Sequence, residues 1–236
     1  MFSTKKIMIK TIILRFLKSL SKYEDYVKEY HSRVKLPNYL EDVFIGLMLS
    51  DGFLERSSPT STVRLSVNFS IKHAPYLMHL YVLFEPYIRT GPDVISTLNS
   101  KTKTHNTVIK FKTQSLPLFM IYHKFFYKPN SQGKLIKIIP LNIEQYMSPV
   151  VLAHLIMGDG NFKIKDGIIR IYTNSFSKKE VEILALAITN KLDVCTKVVH
   201  DRKDQYIITI SKNQLIKVRE LLLKYRHPSM YYKLGL

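Results

Sequence analysis

Two aspartates invite a chemical explanation. Asp51 closes the apolar run Phe44-Ile45-Gly46-Leu47-Met48-Leu49-Ser50-Asp51-Gly52, and Asp159 closes Leu152-Ala153-His154-Leu155-Ile156-Met157-Gly158-Asp159-Gly160. A segment that is apolar on every side predicts a helix buried all round. The glycine that follows each acid is the usual residue for leaving a helix through left-handed backbone. Each run thus reads as buried helix, carboxylate, stop. A helix C-terminus carries partial negative charge and unpaired carbonyl oxygens. An aspartate there adds a full charge and two hard oxygens, the donors that magnesium or calcium prefers. The backbone carbonyls of Ser50 and Gly158, at the same helix ends, are the next donors expected. Two such helices side by side would bring both acids to one level, an arrangement suited to metal-assisted phosphodiester cleavage. Close packing needs small residues at the contact, and Gly46 with Ser50, like His154 with Gly158, stand four apart. A single apolar run ending in Asp-Gly is ordinary. Two in matching register are not.

The elements around these runs repeat as well. Val63–Ser70 alternates apolar and polar residues, which predicts a half-buried strand. Strands are also predicted over Ile95–Leu98 and Thr107–Thr113, where Lys110 and Lys112 share the face opposite Ile109 and Phe111. Ala74–Glu85 and Ser115–Phe126 read as covering helices. After the second run the order returns: a strand over Ile168–Asn174, a helix over Lys178–Lys191 opened by a Ser177/Glu180 capping box, a hairpin of Lys197–His200 and Tyr206–Ser211, and a helix over Asn213–Tyr225. The pattern is α+β, a pseudo-twofold tandem repeat with residues 36–137 as first half and 138–236 as second. Polar and cationic strand faces in both halves predict two antiparallel sheets forming a basic saddle.

Charge supports a polyanionic partner. The 236 residues carry a formal charge of +18, spread along the whole chain rather than gathered in a tail. The only cysteine, Cys195, excludes an intrachain disulfide framework and a cysteine-based zinc site. No apolar run reaches the roughly 18 residues needed to cross a bilayer, so no membrane partner is expected. Residues 1–35 form a basic N-terminal extension. Its first 22 residues hold Lys5, Lys6, Lys10, Arg15, Lys18 and Lys22 without an acid. Three readings of it stand: a mitochondrial targeting helix, a basic helix lying on the protein or its nucleic acid, or an extension of an upstream reading frame.

The two acidic runs resemble the paired motifs of the LAGLIDADG homing endonucleases, specifically the monomeric two-motif subgroup of organelle introns. Phe44–Gly52 matches at its glycine, leucine and Asp-Gly positions; Leu152–Gly160 matches at Leu152, Ala153, Leu155, Ile156, Asp159 and Gly160. His154 departs, standing where the motif has glycine. The resemblance covers about residues 38–236. It implies a metal-dependent endodeoxyribonuclease that makes double-strand breaks at a long DNA site and mediates intron mobility in a mitochondrion or other organelle. Magnesium is the implied cofactor, with manganese substituting and calcium binding without efficient cleavage.

By the same resemblance Asp51 and Asp159 are catalytic and metal-binding. The resemblance also implies that Lys137 and Lys233, near the end of each half, point into the active site. DNA contacts are expected in the first half from Arg56, Arg64, Asn68, Lys101, Lys103, Lys110 and Lys112. In the second they are expected from Lys163, Lys165, Arg170, Tyr172, Lys197, Arg202 and Lys203. The partners implied are double-stranded DNA and, in the alternative reading, host intron RNA, with no obligate protein partner. That alternative is an RNA maturase, or a protein with both roles. A DNA-binding regulator that has lost cleavage is a third class. Other nuclease signatures are missing: His105-Asn106 has no metal-binding partner nearby, and there is no glycine-rich phosphate loop and no His-Glu-x-x-His.

Overall fold

The two apolar runs do pack against each other, and that contact is the axis of the molecule. The computed structural model describes residues 35–58, 60–98 and 104–236; the basic extension up to residue 34, and Lys101 and Lys103, lie outside the described residues. Helix α1 is Asn38–Met48 and its counterpart α4 is Pro149–Asp159. Val43–Leu49 of the first and Val150–Gly158 of the second are buried without interruption. Ser148 caps α4, accepting from the Val151 N–H at 3.2 Å while its hydroxyl donates to Asp42 at 2.7 Å. Pro149 sits at the first helical position, where its missing N–H costs nothing.

Glycine sets how closely the helices approach. A Cβ added at Gly46 would lie 2.6 Å from the His154 Cβ and 2.8 Å from the Val151 carbonyl oxygen. One added at Gly158 would overlap the Ser50 side chain and stand 3.2 Å from the Asp51 carboxylate. His154, where the family motif has glycine, is therefore accommodated by the glycine facing it.

Two four-stranded antiparallel sheets flank the helix pair. The first contains β1 (Gly52–Arg56), β2 (Val63–Ser70), β3 (Asp93–Leu98) and β4 (His105–Lys112), in the order β1-β2-β4-β3. The second contains β7 (Gly160–Lys163), β8 (Ile168–Tyr172), β9 (Thr196–His200) and β10 (Tyr206–Ile210), in the equivalent order β7-β8-β10-β9. On the first sheet Leu54, Val63, Leu65, Val67, Ile109 and Phe111 turn to the core, with α2 (Ala74–Phe84) and α3 (Leu118–Phe126) packed there. On the second, Ile169, Ile171, Ile208 and Ile210 do the same, and α5 (Lys178–Leu192) packs on β10. A short helix α6 (Leu215–Leu221) follows. The Glu180 carboxylate accepts from the Ser177 N–H at 2.9 Å, as the capping box predicts.

The structure departs from the sequence expectations in three places. Gly52 and Gly160 do not leave their helices through left-handed backbone; Gly160 is extended (φ −78°, ψ 152°) and each is the first residue of a strand. Their requirement is space: a Cβ on Gly52 would come within 2.9 Å of the Leu47 carbonyl oxygen, and one on Gly160 would overlap that of Ile156. The strands β1 and β7 were consequently missed. So was the hairpin β5 (Tyr127–Pro129) and β6 (Leu135–Lys137), which is too short to show alternation. Among the described residues no helix is long and apolar enough to cross a membrane.

His154 is fully buried at the helix contact, its Nδ1 2.7 Å from the Tyr76 hydroxyl and its Nε2 without a partner. Burial, with a smaller push from His79, lowers its pKa to about 3. The unfolded chain, with histidine near its ordinary 6.5, thus takes up a proton that the folded one refuses. Stability from this group is complete above about pH 6.5 and is lost as pH falls toward 3, by on the order of a few kcal/mol. Equilibrium urea unfolding at pH 7 and pH 4.5 should show that loss, and His154→Phe should shrink it.

Gly46→Ala should destabilise by about 1–3 kcal/mol, the usual cost of overpacking. Gly91→Ala, where an added Cβ meets nothing within 4 Å, should leave the melting temperature nearly unchanged. Equal melting temperatures for both variants would mean that the helix contact tolerates a methyl group.

Candidate active site

The paired helices deliver both carboxylates to the same end of the molecule. Asp159 is the last residue of α4, and Asp51 follows α1 in a turn tightened by a bond from the Ser50 N–H to the Leu47 carbonyl at 3.0 Å. Two lysines reach the same place from distant parts of the chain. Lys137, at the end of β6, donates from Nζ to the carbonyls of Ser50 at 2.9 Å and Gly52 at 2.7 Å, on either side of Asp51. Lys233, in the 3-10 turn Pro228–Leu234, donates to the Met157 carbonyl at 2.7 Å and to that of Gly158. Each half therefore places one ammonium on the carbonyl-rich end of its own motif helix, where cations are favoured. The hairpin carrying Lys137 is fixed in part by Tyr127, whose hydroxyl accepts from the Leu54 N–H at 3.0 Å.

The four charges shift one another. Burial raises the Asp51 carboxyl, against the lowering pull of Lys233 and Lys137. Burial and the Asp51 charge together push Asp159 up to about 7, with the same lysines opposing. Lys137 is lowered to about 8 by burial, although Asp159 and Asp51 pull it back up, and Lys233 moves in the same direction. Both carboxyls are raised first by burial, so a further positive charge at this site would favour their ionised forms.

The donor set suits a hard divalent ion. Two carboxylates and helix-end carbonyls offer oxygen only, and magnesium characteristically takes one or two carboxylates and completes its shell with water or phosphate. Among the described residues no group of three or more His, Cys, Asp or Glu gathers elsewhere as an alternative metal cage. The Ser50 and Gly158 carbonyls, expected as extra ligands, already accept from Lys137 and Lys233. Only their second lone pairs remain for a metal.

The outer sheet faces carry most of the expected nucleic-acid contacts. Register places Arg64, Ser66, Asn68, Lys110 and Lys112 together on the first sheet. Asn161, Lys163, Arg170, Lys197 and Thr209 share the outer face of the second, with Tyr172 at the end of the same row. Lys165 lies in the β7–β8 turn and Arg202 and Lys203 in the β9–β10 turn, at the rims. Buried polar atoms without partners, the Ser66 hydroxyl, Asn68 Oδ1 and Arg170 Nε, cluster on these same faces. Arg56 is the exception. It shares the core side of β1 with Leu54, donates from Nε to the Ser61 carbonyl at 3.0 Å, and its charge acts on His123 in α3.

A model of the LAGLIDADG DNA endonuclease family matches residues 41–218, a span that includes both motifs and both sheets. The chain belongs to this family. A curated relative, the cytochrome b mRNA maturase bI2 of Saccharomyces cerevisiae, is 30% identical over 198 residues, covering 82% of this chain and 46% of that protein. The chain thus spans about half of that relative's length. The intron-encoded endonuclease ai4 of Dictyostelium discoideum is 35% identical over 140 residues, covering 56% of this chain and 84% of that one. The homing endonuclease I-WcaI bound to its DNA recognition sequence superposes with a TM-score of 0.77 at 24% identity, over 90% of this chain and 91% of that one. The LAGLIDADG architecture of two motif helices and two antiparallel sheets is therefore established for this chain.

Glu55, paired with Arg64 and Lys112 on the outer face of the first sheet, was not singled out from the sequence, because Asp51-Gly52 reads as the end of a helix and not as the start of strand β1. Its signal was available: counted from Asp51, residues 53 and 55 alternate with the core residue Leu54. In buffer without divalent ions, Asp51→Asn should bring the Asp159 carboxyl down from about 7 toward the ordinary aspartate range, followed by carbon-13 NMR titration. A pKa still near 7 would assign the whole shift to burial.

Proposed function

We propose that this LAGLIDADG protein is a site-specific endonuclease that makes double-strand breaks in DNA with divalent metal held by Asp51 and Asp159. The observation that carries the reading is the convergence of two carboxylates from two helices, each flanked by a lysine from its own half. Residues 36–137 and 138–236 act as the two halves, each contributing a motif helix, a sheet and a lysine. Magnesium is the expected ion, manganese a substitute, and calcium an ion that binds without efficient cleavage.

A bound divalent ion supplies a nucleophilic water and relieves charge at phosphorus. Asp51 and Asp159 would hold that ion and help to orient the attacking water. Lys137, whose ammonium pKa burial lowers to about 8, would orient that water or exchange a proton with it. Lys233, on the other helix end, presents its charge to the scissile phosphate. Phosphate contacts from the lysines of both sheets provide salt-sensitive affinity. Arg64, Asn68, Lys110 and Arg170, on the outer faces, read bases. The DNA-bound state of I-WcaI and the endonuclease named in Dictyostelium support DNA as the substrate. The cytochrome b maturase relative supports expression from an organelle intron.

That relative also favours one second reading, an RNA maturase working on its host intron, alone or beside DNA cleavage. Incubation with a pooled DNA library in magnesium, alongside Asp51→Asn and Asp159→Asn, separates the two. Metal charge stabilisation is worth several kcal/mol, so at about 1.36 kcal/mol per tenfold each variant should lose roughly a thousandfold in cleavage while retaining DNA binding. Wild-type cutting rates in Asp51→Asn would refute the site assignment. Absence of cutting together with tight binding of a structured intron RNA would establish the maturase instead.

A further inference from the structure

We propose that Glu55 is a specificity-determining residue, which holds Arg64 in position to read one base pair in only one half of the target. The inference deepens the DNA-cleaving reading above and rests on it.

Glu55 stands directly opposite Arg64 in the β1–β2 pairing, and Lys112 is the next neighbour across β2, opposite Ser66. One carboxylate oxygen of Glu55 accepts from Arg64 Nε at 2.6 Å and from Lys112 Nζ at 2.7 Å. All three side chains are partly exposed on the outer face of the first sheet. Arg64 and Lys112 line an open cleft of about 390 Å³ there, with Arg89, Asp93 and Lys110. Burial pushes the Glu55 carboxyl up, but the bonds from Lys112 and Arg64 outweigh it and keep the group below the ordinary glutamate range.

An acid at this place needs a purpose. Partly exposed ion pairs contribute little to folding, and a negative charge facing a polyanion opposes association. Its effect on Arg64 is geometric. A hydrogen bond from Nε to the carboxylate restrains the guanidinium's rotation and leaves its terminal nitrogens as donors for a second partner. A planar fork of that kind matches the paired O6 and N7 acceptors of guanine in the major groove. An untethered arginine would instead follow the nearest phosphate.

The second half lacks the device. Counting from the motif aspartates, Lys163 stands where Glu55 stands; it faces Ile168 across the pairing and bonds Asp166 in the adjoining turn. The preference set by Glu55 therefore belongs to one half-site.

The test selects a randomised duplex pool by binding to wild type, Glu55→Gln and Arg64→Lys in divalent-free buffer, and sequences the bound fractions. Both variants should lose preference at the same base pair of a single half-site, by roughly tenfold. Glu55→Gln should bind an unselected duplex at least as tightly as wild type, since it removes a repulsive charge. Arg64→Lys keeps the charge and loses the fork, so it tests the same contact should Glu55→Gln fold poorly. An unchanged preference profile in the variants, or losses spread over both half-sites, would overturn the role of Glu55 alone. A wild-type protein that selects no sequence would overturn the endonuclease reading and this inference with it.

Discussion

The close approach of two buried helices is the constraint on which everything else in this chain depends. It requires Gly46 against His154 and Gly158 against Ser50, and it sets the distance between the acids that follow. The sheets begin at the very next residues, Gly52 and Gly160, so the same contact fixes how each sheet leaves the axis. The paired acids and the outer sheet faces share one anchor.

Acids and lysines offset one another's charge at that anchor. Aspartates at the negative ends of two helices would be difficult to bury alone. Lys137 and Lys233 make the arrangement tolerable by satisfying the helix-end carbonyls. Those carbonyls are hydrogen-bonded by the protein itself, and the carboxylates are left as the groups with unmet demand for positive charge.

Much of this was written plainly in the chain, and the reasons for the exceptions are physical. The motif helices were legible because they are apolar on every side, and Val63–Ser70 because it alternates. The lysines were reachable through the family resemblance, with the matching ends of the two halves as support; their spacing from the acids carries no local signal, since contacts spanning more than 70 residues are made by the fold. Strands β1 and β7 were hidden by reading Asp-Gly as a stop, when the glycine is there to let a strand start against its own helix. Arg56 looked like its neighbours in composition but falls on the core-facing parity of its strand, and parity could be assigned only once β1 was known to exist.

The unequal helix contact has a consequence for how the halves choose one another. Gly46 and His154 hold equivalent places in the two motifs, as do Ser50 and Gly158, so each level pairs a glycine with a bulkier residue. Two copies of the first helix docked in this way would set serine against serine, and two copies of the second would set histidine against histidine. Either self-pairing contains an overlap that the native pairing avoids. The halves are thus lock and key to each other and not to themselves, an exclusivity that two symmetric glycine-faced helices could not provide.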